Sequence, residues 1–575
     1  MIVLAPCPKA HSRELDKACP PATTVARVWE RLDALELELV ARTERVDVGR
    51  LGIPVYLSVC GADARAVMPT RKQMGKGASP IQAEASALME LMERYSFFTF
   101  WRDLPGVVNA TWSEAEARFG DTLMPVEHIC ASVGDTIAPD VARRLLDLVP
   151  WQFFPVTDLT HGREVWAPLN WFKKLGEFNG TSAGNTPEES LLQGLCELVE
   201  RHVCCRIDRT RPEVPSIDPA SVNDPVLKGL LGSFSKQGVT LILKDFSHNM
   251  PLPTVAALAW DTATFPDMSE IVFTAGTAAS PAKAAIRAVT EVAQLAGDFC
   301  TNACYEASGL PKFHELAEAE WLTRGPSVPL DSLPSVEDAD MCVELTRAIA
   351  GLEAQGIPVY AVATTNPAVG IPSHYSIAPG LAFRERDKNQ CVGLFVGRIL
   401  AEEAEEDRAA HGLEVLAACC PNAHYLPFFH GVLSMRRGDL DAAGGFFTAA
   451  EPLQPESDAK GLCAFYAGYC LTQQDRWEEA LPALTRAVTL CPEMKEYWNL
   501  RGVARFKTGQ YAPAARDFER ALRLDKGSVM DIANLGLCHE RLGHKEQARQ
   551  YLRTAISLDP DLEFARNHLE ALEEE

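Results

Sequence analysis

Five glutamates, spaced so that helices would align them, are the residues of this chain best suited to chemistry. Glu90 and Glu93 follow Ser86; Glu197 and Glu200 follow Gln193; Glu291 stands between Arg287 and Gln294. At about 100° per residue, helical positions i, i+4 and i+7 lie within roughly 60° of one another, so each trio forms one line. The residues around these lines are apolar: Ala87, Leu88, Leu91 and Met92; Leu195, Cys196, Leu198 and Val199; Ala288, Val289, Val292 and Ala293. Helices of that kind are buried nearly all round. An isolated buried carboxylate takes up a proton, so converging stripes require a cation. Oxygen-only ligands suit Mg2+, which is usually held by a few carboxylates together with substrate phosphates. No His-Glu-x-x-His motif or Cys/His cluster offers zinc a tetrahedral set. Arg287 takes the place that Ser86 and Gln193 hold in the other stripes, and a guanidinium there suits a phosphate.

The elements that must position these side chains announce themselves. Each stripe is entered through a small residue and a proline, Ser79-Pro80, Thr186-Pro187 and Ser280-Pro281, and the polar positions recur at the same offsets from the proline. Ser79 and Thr186 read as helix N-caps, with proline at the first helical position and Gln82 or Glu189 at the third. Strand-like runs alternate with these helices at 54–59, 240–243, 271–274 and 358–362. The expectation is an α+β domain, with helices covering one side of a largely antiparallel mixed sheet.

At 575 residues the chain is too long for one core. Its net charge of −23 argues against direct nucleic-acid binding, yet leaves room for ATP where basic residues and a metal concentrate. No apolar run approaches the ~18–20 residues of a membrane span. The 17 cysteines are scattered without a Cys-x-x-Cys pair, which reads as a reduced, cytoplasmic protein. The last third changes character. Gly431, Gly468, Gly502 and Gly536 share one phase, followed by Gly438, Asp475, Gly509 and Gly543, then by Ala443, Ala480, Ala514 and Ala548. That 34-residue period resembles tetratricopeptide repeats over about 425–561, with a capping helix to Glu575. Such an array is either a scaffold or a docking surface, the latter centred on Asn499, Arg501, Asn534 and His539. Residues 387–424 read as a helical connector.

The stripes with their flanks resemble the YcaO superfamily. Its pattern is visible in Gly75-Lys76-Gly77-Ala78-Ser79 with Ser86-x-x-x-Glu90-x-x-Glu93-Arg94; in Asn179-Gly180-Thr181-Ser182-Ala183-Gly184-Asn185-Thr186 with Gln193-x-x-x-Glu197-x-x-Glu200-Arg201; and in Arg287-x-x-x-Glu291-x-x-Gln294. The resemblance spans about residues 15–385, giving a YcaO ATP-binding domain at 1–386, the connector at 387–424 and the repeats at 425–575. It implies ATP and Mg2+ as cofactors and activation of a backbone amide oxygen in a peptide or protein substrate. Glu90, Glu93, Glu197, Glu200 and Glu291 become the implied Mg2+ ligands. Lys17, Thr24, Ser86, Ser182, Asn185, Glu189, Arg201, Arg287 and Gln294 become the implied ATP contacts. The chain ends in His568-Leu569-Glu570-Ala571-Leu572 and three glutamates rather than the proline-rich tail of many azoline-forming members. Its repeats resemble the form linked to ribosomal-protein methylthiolation, in which the YcaO protein is an accessory factor. Two functions therefore stand side by side: an ATP-dependent amide-modifying enzyme, or an adaptor that presents a protein to a separate methylthiotransferase. A TfuA-like protein is a further candidate partner, and a homodimer is compatible with either.

Overall fold

The computed structural model describes residues 1–302, 304–306, 309–384 and 389–574. Two compact units form: Met1–Pro139 with Pro150–Gln390, and Asp140–Val149 with Cys391–Glu575. The boundary expected at 386/387 lies outside the described residues, and 140–149 groups with the second unit rather than with its sequence neighbours.

The first unit holds three sheets where the sequence suggested one. Val40–Arg45, Val55–Cys60 and Lys72–Lys76 form an antiparallel meander. A five-stranded sheet runs in the order Val272–Thr277, Thr254–Trp260, Thr240–Asp245, Ser216–Ile217, Ser327–Val328, its last pair parallel. The third sheet runs Val108–Ala110, Trp151–Asp158, Tyr360–Ala363, Ser373–Ile377, Thr181–Ala183, with Arg163–Pro168 paired to Trp151–Asp158.

The three stripe helices each need an apolar bed, and two of them share one sheet. The stripe helices are Pro80–Asp103, Pro187–Thr210 and Pro281–Ala296. Leu88, Leu91 and Met92 of the first share a core with Val40 and Cys60 of the meander. The five-stranded sheet is buried on both faces, and its strand alternation decides which helix each residue meets. Along Thr254–Trp260, Ala256 and Leu258 join Leu195 and Val199 of the second stripe helix. Val255, Ala257 and Ala259 join Ile286, Val289 and Val292 of the third. Glycine sets two of the closest approaches. A Cβ on Gly75 would lie 2.1 Å from the Ala87 nitrogen, and one on Gly276 would lie 2.5 Å from the Ala288 nitrogen. Helix entry follows the expected chemistry twice: the Ser79 and Thr186 hydroxyls accept from the backbone N–H of Gln82 and Glu189. Ser280 makes no side-chain cap bond.

In the second unit, helices Val392–Glu402 and Glu406–Cys419 pack on Leu426–Arg436, the first helix of the first repeat. With Leu426–Arg436 as its first member, a stack of four antiparallel helix pairs runs on to Glu563–Glu574. The turns at Gly438, Gly509 and Gly543 have positive φ, and Asp475 adopts φ 56° at the equivalent place in the second repeat. Arg501 is buried, its guanidinium donating to Asp517 at 3.0 and 2.7 Å, with Arg505 on the same carboxylate at 2.8 Å. It is an internal tie of the third repeat and not part of a docking face.

Candidate functional site

The three stripes converge on one pocket of about 390 Å3 in the first unit. Glu90, Glu93, Glu197, Glu200 and Glu291 all line it, together with Lys17, Thr24, Ser86, Asn185, Glu189, Arg201, Arg287 and Gln294. Bonds between helices fix the convergence. Arg287 Nη1 donates to Gln193 Oε1 at 2.6 Å, joining the third stripe to the second. Thr181 Oγ1 donates to Glu93 Oε1 at 2.8 Å, joining the strand before the second helix to the first helix. The backbone N–H of Thr277 donates to Glu200 Oε2 at 2.9 Å, tying the second stripe to the strand before the third.

At another edge of the pocket the amino-terminal segment delivers two residues far from the stripes in sequence. Lys17 Nζ donates to Glu189 Oε1 at 3.1 Å, the Ala18 N–H donates to Glu189 Oε2, and the Asn185 amide reaches both oxygens. Thr24 Oγ1 donates to Asn185 Oδ1 at 2.9 Å. Burial works against the charge of Glu189, but Lys17 and these N–H donors outweigh it and hold its carboxyl below the usual range.

The carboxylates facing the pocket behave differently. Burial pushes Glu93 up to about 8, against the pull of Arg94. Burial, with Glu291 nearby, pushes Glu200 up to about 7, and burial also raises Glu90. Glu291 goes the other way: burial opposes its charge, yet Lys76 beside it holds the carboxyl below the ordinary value. Glu93 lies 3.2 Å from Arg94 Nη1 and Glu291 is bonded to Lys76, yet burial still raises Glu90, Glu93 and Glu200, a condition that a divalent cation would relieve. The glutamates are spread along the walls. Among the described residues the only group of three acidic, cysteine or histidine side chains with donor atoms within 4.8 Å of one another is Asp458, Cys491 and Glu493, in the repeats. A tight all-protein cage is thus not what the stripes build; their spacing suits ions that share protein carboxylates with phosphate oxygens.

Ser182 departs from the expectation. It is fully buried, its hydroxyl donates to the Ser190 carbonyl at 2.7 Å, and it does not line the pocket. Its strand partner is His374, whose Nδ1 lies 2.9 Å from Ser190 Oγ, so Ser182 belongs to the wall that sets the second helix. Lys76, Arg94, Thr181 and Gln193 also line the pocket, beyond the contacts that the resemblance implies. Arg94 donates to Thr181 Oγ1 at 3.2 Å and stacks over the Phe178 ring at 4.1 Å. Their signal was present: Arg94 and Gln193 stand in the stripe motifs themselves, and Lys76 sits in the Gly-Lys-Gly turn ahead of the first helix.

A family model described as YcaO cyclodehydratase, ATP- and Mg2+-binding, matches residues 74–382. The chain belongs to the YcaO family. Tetratricopeptide-repeat models match residues 465–529 and 532–562 of this YcaO protein. It is 27% identical over 399 residues to an uncharacterized protein of Methanothermobacter thermautotrophicus, covering 64% of this chain and 94% of the relative. It is 28% identical over 301 residues to an uncharacterized protein in the tfuA 3' region of Rhizobium leguminosarum bv. trifolii, covering 48% of this chain and 66% of the relative. A solved heterocyclase, in complex with substrate and cofactor, shares the YcaO fold at TM-score 0.53 and 21% identity, over 66% of this chain and 54% of that one. No described helix is long and apolar enough to cross a membrane.

Proposed function

We propose that this cytoplasmic protein uses ATP and Mg2+ to phosphorylate a backbone amide oxygen of a peptide or protein, while its repeats hold the substrate or a partner. The observation that carries the reading is the convergence of five glutamates and Arg287 on one pocket. The residues fit the cofactors. Three of the glutamates are raised by burial, and a buried Nε of Arg287 has no hydrogen-bond partner. The pocket volume of about 390 Å3 falls in the ~300–1,000 Å3 range of small-molecule sites.

Glu90, Glu93, Glu197, Glu200 and Glu291 would hold the metal. Ser86, Arg201, Arg287 and Gln294 would meet the phosphates, and Lys17, Thr24, Asn185 and Glu189 the nucleoside. Bound Mg2+ supplies charge neutralisation at the phosphates and orients in-line transfer. The chain's own part is positioning. Arg287, held at Nη1 by Gln193, would meet one phosphate oxygen. The amide oxygen attacks the terminal phosphorus as the bridging P–O bond to ADP breaks; once a nucleophile has added at the carbon, the C–O bond breaks and the oxygen departs as inorganic phosphate. No nucleophile from the protein is needed.

The relative encoded beside tfuA supports a TfuA-like protein as partner. The adaptor reading, with presentation to a methylthiotransferase, draws on the repeats; it gives no role to carboxylates that cost stability when buried. Calorimetry tests the enzyme reading. ATP should bind in the presence of Mg2+ and lose nearly all affinity in EDTA; equal affinity in both would overturn the site. An adaptor should show no peptide-stimulated ATP hydrolysis.

A further inference from the structure

We propose that Lys76 is a built-in cation that occupies Glu291 until a divalent metal replaces it, after which the freed ammonium binds the terminal phosphate of the nucleotide. The inference rests on reading the pocket as a metal–nucleotide site. Lys76 ends the strand just before the first stripe helix, yet its Nζ crosses to the third stripe and donates to Glu291 Oε2 at 2.6 Å. Both side chains are 23% exposed, and both line the pocket. The backbone that carries the ammonium is immobilised. Lys76 pairs with Val55, Gly75 pairs with Tyr56, and Gly75 is pressed against the helix backbone at Ala83 and Ala87. Only the flexible four-carbon stem can move, so the ammonium swings about a fixed anchor.

Arg94 and Arg287 are restrained in other ways, the first by Thr181 and the Phe178 ring, the second by Gln193. A guanidinium already held by a neighbour is less free to follow a changing charge than a lysine on its flexible stem. Mg2+ takes carboxylate oxygens at about 2.0–2.1 Å and would face the ammonium across one carboxylate. Two cations so placed repel, and the ammonium must leave. In the nucleotide-free pocket the other anions near it are Glu90 and Glu200, themselves candidate metal ligands. A triphosphate adds an anion that does not compete for the metal's carboxylates, which the ammonium meets as a compact charge with three donors. Metal and nucleotide are thereby coupled through Lys76, each making the other's binding more favourable, and the coupling is reciprocal.

The full-length protein titrated with Mn2+, with and without ATP, tests this by electron paramagnetic resonance of the free ion. Wild type should bind Mn2+ weakly alone and much more tightly with ATP. Lys76→Met should raise Mn2+ affinity in the absence of ATP and shrink the ATP-induced enhancement by about tenfold, within the 5–150-fold range of ordinary coupling. Lys76→Gln, which keeps a donor but loses the charge, should match Lys76→Met and guards against a packing defect in either variant. A fixed lysine acting only through its charge would shift each affinity but leave the enhancement unchanged, and that result would overturn the proposal. If wild type binds Mn2+ neither alone nor with ATP, the pocket reading itself fails.

Discussion

The two units of this chain both use residues repeated in phase along helices, and they put them to opposite uses. In the repeats the periodic positions are small or apolar and disappear into seams: Ala480, Ala514 and Ala548 are fully buried, as are Leu484 and Leu552. A charge that enters those seams is matched on the spot, as Asp517 is by Arg501 and Arg505. In the first unit the periodic positions are carboxylates aimed at a shared space, and burial leaves Glu93 at about 8 and Glu200 at about 7. A closed ion pair is architecture; a buried acid whose neighbouring cation does not offset its burial marks a place for something else.

The largest test of that contrast pairs one substitution from each unit. Glu197→Gln should lower Mg2+-dependent ATP turnover by about 100-fold or more while leaving thermal stability unchanged or raised. Arg501→Ala should do the reverse, destabilising the repeats by about 3 kcal/mol, since Arg505 retains only part of the compensation for Asp517. ATP turnover and chemical denaturation measured on both variants decide it. Loss of stability in Glu197→Gln with normal turnover would reduce the stripe to architecture as well.

A smaller effect follows from pH. The folded-state values of Glu93 and Glu200 lie above the 4.5 of a free glutamate. The folded protein therefore binds more protons than the unfolded one between roughly pH 4.5 and 8, and its metal-free stability declines as pH rises through that window. Metal binding must expel those protons, so Mg·ATP affinity should climb about tenfold or more from pH 6 to 8.5. Calorimetry at the two pH values measures this, and Glu93→Gln should flatten both trends.

The smallest effect belongs to the repeats. Replacing Asn534 and His539 with alanine should raise KM for the native protein substrate several-fold and leave ATP binding unchanged, while Arg501 is kept to preserve the fold. Steady-state kinetics against protein substrate and against a short peptide separate the two; an equal loss on both would deny the repeats a docking role.

Much of the site was legible because it obeys local rules. Proline after serine or threonine fixes where each helix begins, and the period of 3.6 then dictates which side chains share a face. Glu90, Glu197 and Glu291 followed from that arithmetic alone. Ser182 did not, because a short strand places alternate residues on opposite faces and its face is set by pairing with Ser373–Ile377, nearly two hundred residues on. Lys76 was legible as part of the Gly-Lys-Gly motif but not as a partner of Glu291, since the two lie 215 residues apart in sequence. Arg501 stood at an apparently open helical position, but its partner Asp517 lies on the following helix. The division into three sheets was equally non-local, since the same alternating strand Thr254–Trp260 serves two helices from opposite sides.

The long reach of the pocket has a consequence for synthesis of the chain. Its walls run from Leu15 to Leu295, and the strand that seats the second stripe helix is completed only by Ser373–Ile377. A ribosome-bound fragment that ends between residues 295 and 373 carries every glutamate yet lacks the strand that completes the sheet beneath the second stripe helix. Nucleotide capture is thus expected to begin late in translation, when the first unit is nearly whole, so that unfinished chains draw on neither the cell's ATP nor its free magnesium.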